Sequence, residues 1–223
     1  MTAIAIFVKT PGLSPLKTRL ASGWGKLRAE HWYHQAADTI AELALAANTG
    51  MVCWAVAEPE AQAAFSWQTL PLIEQGGGGL GERMSRVHAR LSGLHGSALL
   101  LGADTPQIDP AWLQLAHDWL KHPDPRLCIG PASDGGFWTI GANRPLPAES
   151  WSAVRYSQTD TLAHFKAQMA NLGDWLILPT LTDLDTLNDL PAVIKQLQAL
   201  HSPTSKQQSL LAWMLQRVSM RSS

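Results

Sequence analysis

Short apolar runs alternate along this chain with stretches in which apolar residues recur every three or four positions. The runs at Ala3 to Val8, Met51 to Ala57, Ala98 to Gly102, Leu127 to Gly130, Phe137 to Ile140 and Trp175 to Leu178 carry little polar interleaving. That is the pattern of strands covered on both faces. Helical periodicity predicts helices over 26–47, 81–94, 110–121, 158–172, 187–200 and 206–218. In the first of these, Tyr33, Ala36, Ala37, Ile40 and Ala44 share one face, which should pack on the sheet. Strands and helices in this alternation predict a three-layer α/β fold, its central sheet mainly parallel and its helices on both faces.

At 223 residues the chain is long enough for one sizeable core, and no Pro/Gly/Ser-rich linker interrupts it. A single domain over 1–223 is expected, closed by the C-terminal helix at about 206–218. That helix is rich in Leu, Met and Trp and should dock on the core or pair with a second subunit in a homodimer. The net charge of −1 and a charged fraction of 16% leave no basic stripe for a nucleic-acid backbone or a membrane surface. The expected partners are therefore small molecules, and a phosphorylated ligand needs a local site. The opening run AIAIFV follows no basic segment, and no later run reaches membrane-spanning length, so a soluble, cytoplasmic protein is expected. Cys53 and Cys128 lie in strand-like runs without metal or redox spacing and read as buried free thiols.

Four segments carry candidate chemistry. In LLLGADTP the strand stops at Gly102 and delivers Asp104 to its carboxyl end, the edge where open α/β sheets bind ligands; a carboxylate there can hold a divalent cation against a phosphate. Helix capping falls instead to Asp109, followed by Pro110. In KTPGLSPLKTRLA, Pro11, Gly12 and Pro15 force a loop. Ser14 as N-cap and Pro15 as first helical residue would put Lys17 and Arg19 in a first turn, where cations oppose the macrodipole; a shared bound anion, also within reach of Lys9, would explain them.

QGGGGLGERM matches the dinucleotide pattern at Gly76, Gly78 and Gly81, with Asp104 at the spacing of a ribose acid. However, Pro71 interrupts the preceding run, and that reading leaves the basic loop unexplained. A flexible glycine loop around a nucleotide, with Arg83 near the phosphates, accounts for both segments. In GPASDGGFWTIG, Asp134 and Gly135 are a hairpin signal; Gly136 also lets backbone approach a ligand, and Asp134 can accept a hydroxyl proton. Finally, LTDLDTLNDL follows the run WLILP, so Asp183 and Asp185 emerge at the same edge, with Thr186 and Asp189 opening a helix. One is expected to cap the next helix and the other to join Asp104 at a magnesium site.

Taken in order, FVKTPGLSPLKTRLA, QGGGGLGERM, LLLGADTPQ, GPASDGGFWTIG, WSAVRYSQTDTL and DLDTLNDL resemble the nucleotide-diphospho-sugar transferase superfamily of Rossmann-like GT-A folds, from about Ile4 to Ala192. They are most similar to a bacterial family of glycosyltransferases named for arsenosugar biosynthesis and often linked to radical-SAM partners. The opening and closing blocks also look like 2-phospholactate guanylyltransferases, and GADTP looks like molybdenum-cofactor guanylyltransferases.

This resemblance implies that Lys9, Lys17 and Arg19 contact nucleotide phosphates and that Gly79, Leu80 and Gly81 line the nucleotide. Asp104 would bind Mg2+ or Mn2+, aided by Asp183 or Asp185, while Asp134, Gly135, Gly136, Trp151 and Ser152 lie near the acceptor. Asp104 stands alone after Gly102 and Ala103, a departure from the Asp-x-Asp of many GT-A enzymes. The expected activity is metal-assisted transfer of a sugar from a nucleoside-diphosphate sugar to a small acceptor, with Asp104 and Asp134 catalytic. The alternatives are nucleotidyl transfer from an NTP to a phosphorylated metabolite, and a catalytically silent nucleotide-binding protein.

Overall fold

The structure, a computed structural model, describes residues 1–219. In chain order the elements are β1 (Thr2–Val8), α1 (Thr18–Trp24), α2 (Lys26–Ala46), β2 (Val52–Val56), α3 (Glu60–Ala63), β3 (Leu72–Glu74), α4 (Leu80–His95) and β4 (Ser97–Leu101). They continue with α5 (Pro110–Leu120), β5 (Arg126–Pro131), β6 (Phe137–Ala142), α6 (Ala148–Ser152), α7 (Thr161–Gln168), β7 (Asp174–Ile177), α8 (Leu190–Gln198) and α9 (Ser205–Ser219). The strands form one seven-stranded sheet in the order β3-β2-β1-β4-β6-β5-β7. β6 runs antiparallel between β4 and β5, while the other neighbouring pairs are parallel.

Alternation within each strand supplies both apolar faces. Ile4, Ile6 and Val8 of β1 join Leu99 and Leu101 of β4 in a core that includes residues of α2, α5, α8 and α9. Ala3, Ala5, Ala98 and Leu100 point the other way, into a core with Met84, Val87 and Leu91 of α4 and Trp151 and Phe165 of α6 and α7. The expected mainly parallel, three-layer arrangement is present.

Local chemistry moves several boundaries. The helix after the basic loop starts at Thr18, not Pro15: Lys17 occupies the N-cap position at φ 44°, and the N–H groups of Leu13 and Ser14 donate to Thr10 O in a turn. Neither Asp183 nor Asp185 caps α8. The Asp189 carboxylate instead accepts from the backbone N–H groups of Asp185 and Thr186 and from the Thr186 hydroxyl, holding that segment as a turn until Leu190. Asp109 caps α5 as expected, accepting the Ala111 N–H at 2.9 Å with Pro110 at the first helical position. Helix α9 docks on the core through buried Leu210 and Met214, and Gln207 Nε2 donates to the carbonyls of Pro106 and Ile108. Cys53 and Cys128 are buried free thiols. Among the described residues, no helix is long and apolar enough to cross a membrane.

Candidate active site

Because the parallel strands point the same way, their carboxyl ends meet at one edge. That edge collects the loop after β1 with Lys9 and Lys17, the glycine loop after β3, Asp104 after β4, the Asp134 turn after β5, and Asp183 and Asp185 after β7. Gly102 N–H donates to Trp138 O at 2.9 Å, extending the β4–β6 pairing to within two residues of Asp104. Gln107 fixes the loop further. Its Nε2 donates to Thr182 O at 2.7 Å and to Gln196 Oε1 at 2.9 Å, tying the Asp104 loop to the segment that carries Asp183.

Lys17 is at the centre of this edge. Its Nζ donates to Asp104 Oδ2 and Asp185 Oδ1, both at 2.7 Å, and lies 5.7 Å from the Trp32 ring centroid. Burial alone would lower the Lys17 pKa, but Asp104 and Asp185 outweigh it and hold the ammonium above its usual value. Burial likewise opposes ionisation of Asp185, yet Lys17 and then Arg19 keep its carboxyl below the usual range. Asp183 has no such partner. Burial, and then the Asp104 carboxylate, push it well above the usual carboxylate range, and its Oδ1 is buried without a hydrogen-bond partner.

These carboxylates divide the roles expected of them. Asp185 is an ion-pair partner of Lys17 and Arg19, and among the described residues no three His, Cys, Asp or Glu side chains form a metal-binding group. A site with all three aspartates as ligands is therefore not built. The pair Asp104 and Asp183 fits a hard divalent cation, since Asp104 retains Oδ1 and Asp183 has an orphaned oxygen; Mg2+ commonly takes one or two carboxylates and completes its shell with phosphate and water.

The glycine loop is bound to its own helix. Glu82 accepts the Gly79 N–H at 2.7 Å, Arg83 Nε donates to Gly78 O at 2.8 Å, and Arg86 donates to the carbonyls of Gln75 and Gly77. A helix end that could greet an anion is thus already met by a carboxylate, so positive charge at this edge rests on side chains. Gly81 does not line the cleft. It is buried, and a Cβ there would stand 2.5 Å from Trp151 O, so its absence lets α4 and α6 approach.

Two compartments join at Phe7, Leu80, Gly102, Asp104 and Ser157. The larger, of about 690 Å³, is lined by Lys9, Lys17, Arg19, Arg83, Gly79 and Asp185, together with Tyr33 and Gln75. The smaller, of about 340 Å³, is bordered by Asp104, Asp134, Asp183, Gly136, Phe137 and Tyr156. Asp134 is exposed there, its Oδ1 accepting the Gly136 N–H at 2.8 Å. Three expected acceptor contacts lie elsewhere. Gly135 packs on the Thr159 backbone, Trp151 is wholly buried, and Ser152 donates back to Ala148 O. Trp151 belongs to the core because α6, a short helix without periodicity enough to be read from the sequence, turns it inward.

Gln75, Tyr156 and Ser157 line the cleft without a sequence signal that assigned them there, and Tyr33 and Phe137, which the sequence offers only as helix-face and strand residues, line it as well. Gln75 directly precedes the four glycines and ends the short β3 run, a position that could have marked it. Its Nε2 donates to the carbonyls of Val8 and Ala55, which anchors it beneath the larger compartment. Burial raises the Tyr33 phenol, which keeps its proton while its oxygen accepts the Lys9 N–H at 3.0 Å.

The family model described as "Uncharacterized protein conserved in bacteria (DUF2064)" matches residues 38–158. The chain is similar to a crystal structure from Desulfovibrio desulfuricans G20 described as a "putative nucleotide-diphospho-sugar transferase", at 25% identity and TM-score 0.82, over 96% of this chain and 97% of that one. It shares its fold with a CMP:2-keto-3-deoxy-manno-octonic acid synthetase complexed with CTP, at 14% identity and TM-score 0.58 over 89% of this chain and 99% of that one. The same holds for a 4-diphosphocytidyl-2C-methyl-D-erythritol synthase from Anaerococcus prevotii, at 9% identity and TM-score 0.53 over 88% and 96%. No curated protein matches the chain. The architecture is the GT-A-like, nucleotide-diphospho-sugar transferase type.

Proposed function

The chain belongs to the DUF2064 family, and from the geometry of its cleft and its likeness to the Desulfovibrio structure we propose that it moves the sugar of a nucleoside-diphosphate sugar onto a small acceptor, assisted by Mg2+ or Mn2+. The observation that carries this reading is a cleft of two unlike compartments meeting at one carboxylate, Asp104, with four cations lining one side and Asp134 on the other. The name of the similar Desulfovibrio structure and the sequence likeness to arsenosugar-linked glycosyltransferases support sugar transfer.

In this reading the larger compartment holds the diphosphate. An ammonium has three donors, and Lys17 spends two of them on Asp104 and Asp185, which leaves one for a phosphate oxygen. Arg19, Lys9 and Arg83 add charge along the same wall. Asp104 and Asp183 would hold the divalent cation, which supplies neutralisation of the charge that develops on the leaving diphosphate. Across the junction, Asp134 keeps Oδ2 for an acceptor hydroxyl, whose proton it takes as general base; such a group contributes roughly 10²–10⁴ in rate. The two buried thiols are at home in a reducing compartment, and we place the reaction in the cytoplasm.

The test is product analysis with nucleoside-diphosphate sugars and with NTPs, each with Mg2+ or Mn2+. Nucleoside diphosphate should be released from a nucleotide sugar, faster with acceptor present, and Asp104→Asn should abolish both this release and the metal-dependent part of nucleotide binding. Pyrophosphate from NTPs with no turnover of nucleotide sugars would replace this reading with nucleotidyl transfer. Metal-dependent nucleotide binding of parental strength in Asp104→Asn would remove the metal assignment.

A further inference from the structure

Charge is segregated across the cleft. Lys9, Lys17, Arg19 and Arg83 all line the larger compartment. The smaller one is bordered by three carboxyl groups, those of Asp104, Asp134 and Asp183, and among the described residues by no Lys, Arg or His. Its remaining walls are largely apolar, with Met84, Phe137 and Tyr156 among them. Tyr156 contributes its ring alone, because its hydroxyl donates to Trp151 O at 3.0 Å.

Resting on the transferase reading, we propose that the acceptor is a small, non-anionic hydroxyl compound, uncharged or carrying an ammonium, with an apolar face, and that phosphorylated and carboxylated acceptors are refused. The free Asp134 oxygen can only be satisfied by a donor, which a hydroxyl or ammonium supplies and a phosphate or carboxylate lacks. A divalent cation held by Asp104 and Asp183 would face the donor's diphosphate, and Asp104 is already paired with Lys17, so Asp134 is the acid at this wall left for the acceptor. An anionic acceptor would enter a half-enclosed space beside like charge with no basic side chain to meet it, the arrangement by which sites reject a partner. Aromatic faces beside the acids add an attraction for an ammonium. The same asymmetry weighs against nucleotidyl transfer to a phosphorylated metabolite, since the cations such an acceptor needs are on the far side of Asp104.

Three probes of matched shape test this: 2-phenylethanol, 2-phenylethylamine and 3-phenylpropionate, titrated calorimetrically into the full-length protein with saturating nucleoside diphosphate and Mg2+. The amine should bind at least fivefold more tightly than the carboxylate, with the alcohol between them. Asp134→Asn should erase most of that gap. Gln158→Lys should move the ratio at least fivefold toward the carboxylate, because Gln158 borders the compartment and would add the missing cation. Equal affinities, absence of binding by all three probes, or a preference of the parent protein for the carboxylate each overturn the proposal. Nucleoside diphosphate affinity, measured beforehand in the same proteins, separates the two readings. Its absence from the parent is a failure of the transferase reading, whereas intact nucleotide binding without charge preference is a failure of the acceptor assignment alone.

Discussion

Lys17 combines two costs that its charge repays: a left-handed backbone, worth about 1–2 kcal/mol against a residue bearing a Cβ, and burial of an ammonium to 7% side-chain exposure. Lys17→Met removes the counter-ion of Asp104 and Asp185 together. Because those carboxylates are about a quarter exposed, a loss of about 2 kcal/mol in urea unfolding is expected, below the full cost of breaking a buried pair. Nucleotide binding should fall with it. Arg19→Ala separates the two effects: the side chain is 70% exposed, so stability should stay within about 0.5 kcal/mol while calorimetric nucleotide affinity drops roughly tenfold or more. At Gly135 the constraint is steric. Its φ is +91° and a Cβ would lie 1.9 Å from Thr159 O, so Gly135→Ala should destabilise the fold by about 2 kcal/mol or more, read from the same unfolding curves.

Between elements, the connection that matters most to the proposed chemistry is the amide clasp of Gln107, because it sets the spacing of two loops that arrive from different strands. Gln107→Met keeps length and burial but deletes both donated bonds. A loss of about 1–3 kcal/mol in urea unfolding is expected, together with a lower kcat and a weaker metal-dependent part of nucleotide binding, since the clasp spaces Asp104 from Asp183. The clasp also marks the limit of what the sequence could reveal. Strand ends were legible, because apolar runs stop where Lys9, Asp104, Asp134 and Asp183 begin, and strand direction then gathers them at one edge. The Asp134–Gly135 hairpin between β5 and β6 was legible for the same local reason. What stayed hidden depends on distant partners: Lys17 takes its conformation beside acids 87 and 168 positions away, and Trp151 is inward only because Gly81 admits α6 against α4. The glycine loop has the composition of a phosphate cradle, but Glu82, inside the helix that periodicity predicts over 81–94, turns back to cap that helix's own end.

Over the whole molecule, acid should loosen the layer that holds α4 and α6. His88 is wholly buried 5.7 Å from Trp151, and burial pushes its pKa down to about 4 against the weaker opposing pull of the Ala142 and Ala98 backbone. In the unfolded chain its value is 6.5, so between pH 6.5 and about pH 4 only the unfolded state binds this proton. Stability from this group is complete above pH 6.5 and is lost as the pH falls toward 4, by up to about 3 kcal/mol. The difference in unfolding free energy between pH 7 and pH 4.5 should therefore be smaller in His88→Leu than in the parent protein. The buried ammonium at the cleft has a different reach. Dissolved salt screens exposed charges over about 10 Å at 0.1 M but hardly touches one enclosed by protein. Raising ionic strength should thus strip away the help of exposed Lys9 and Arg19 and leave that of Lys17, so the parent's nucleotide affinity declines to a plateau, while a Lys9→Ala, Arg19→Ala double variant starts on that plateau and stays there. Once on that plateau, a binding step anchored in this way follows the supply of nucleotide and of divalent cation and is nearly indifferent to further monovalent salt.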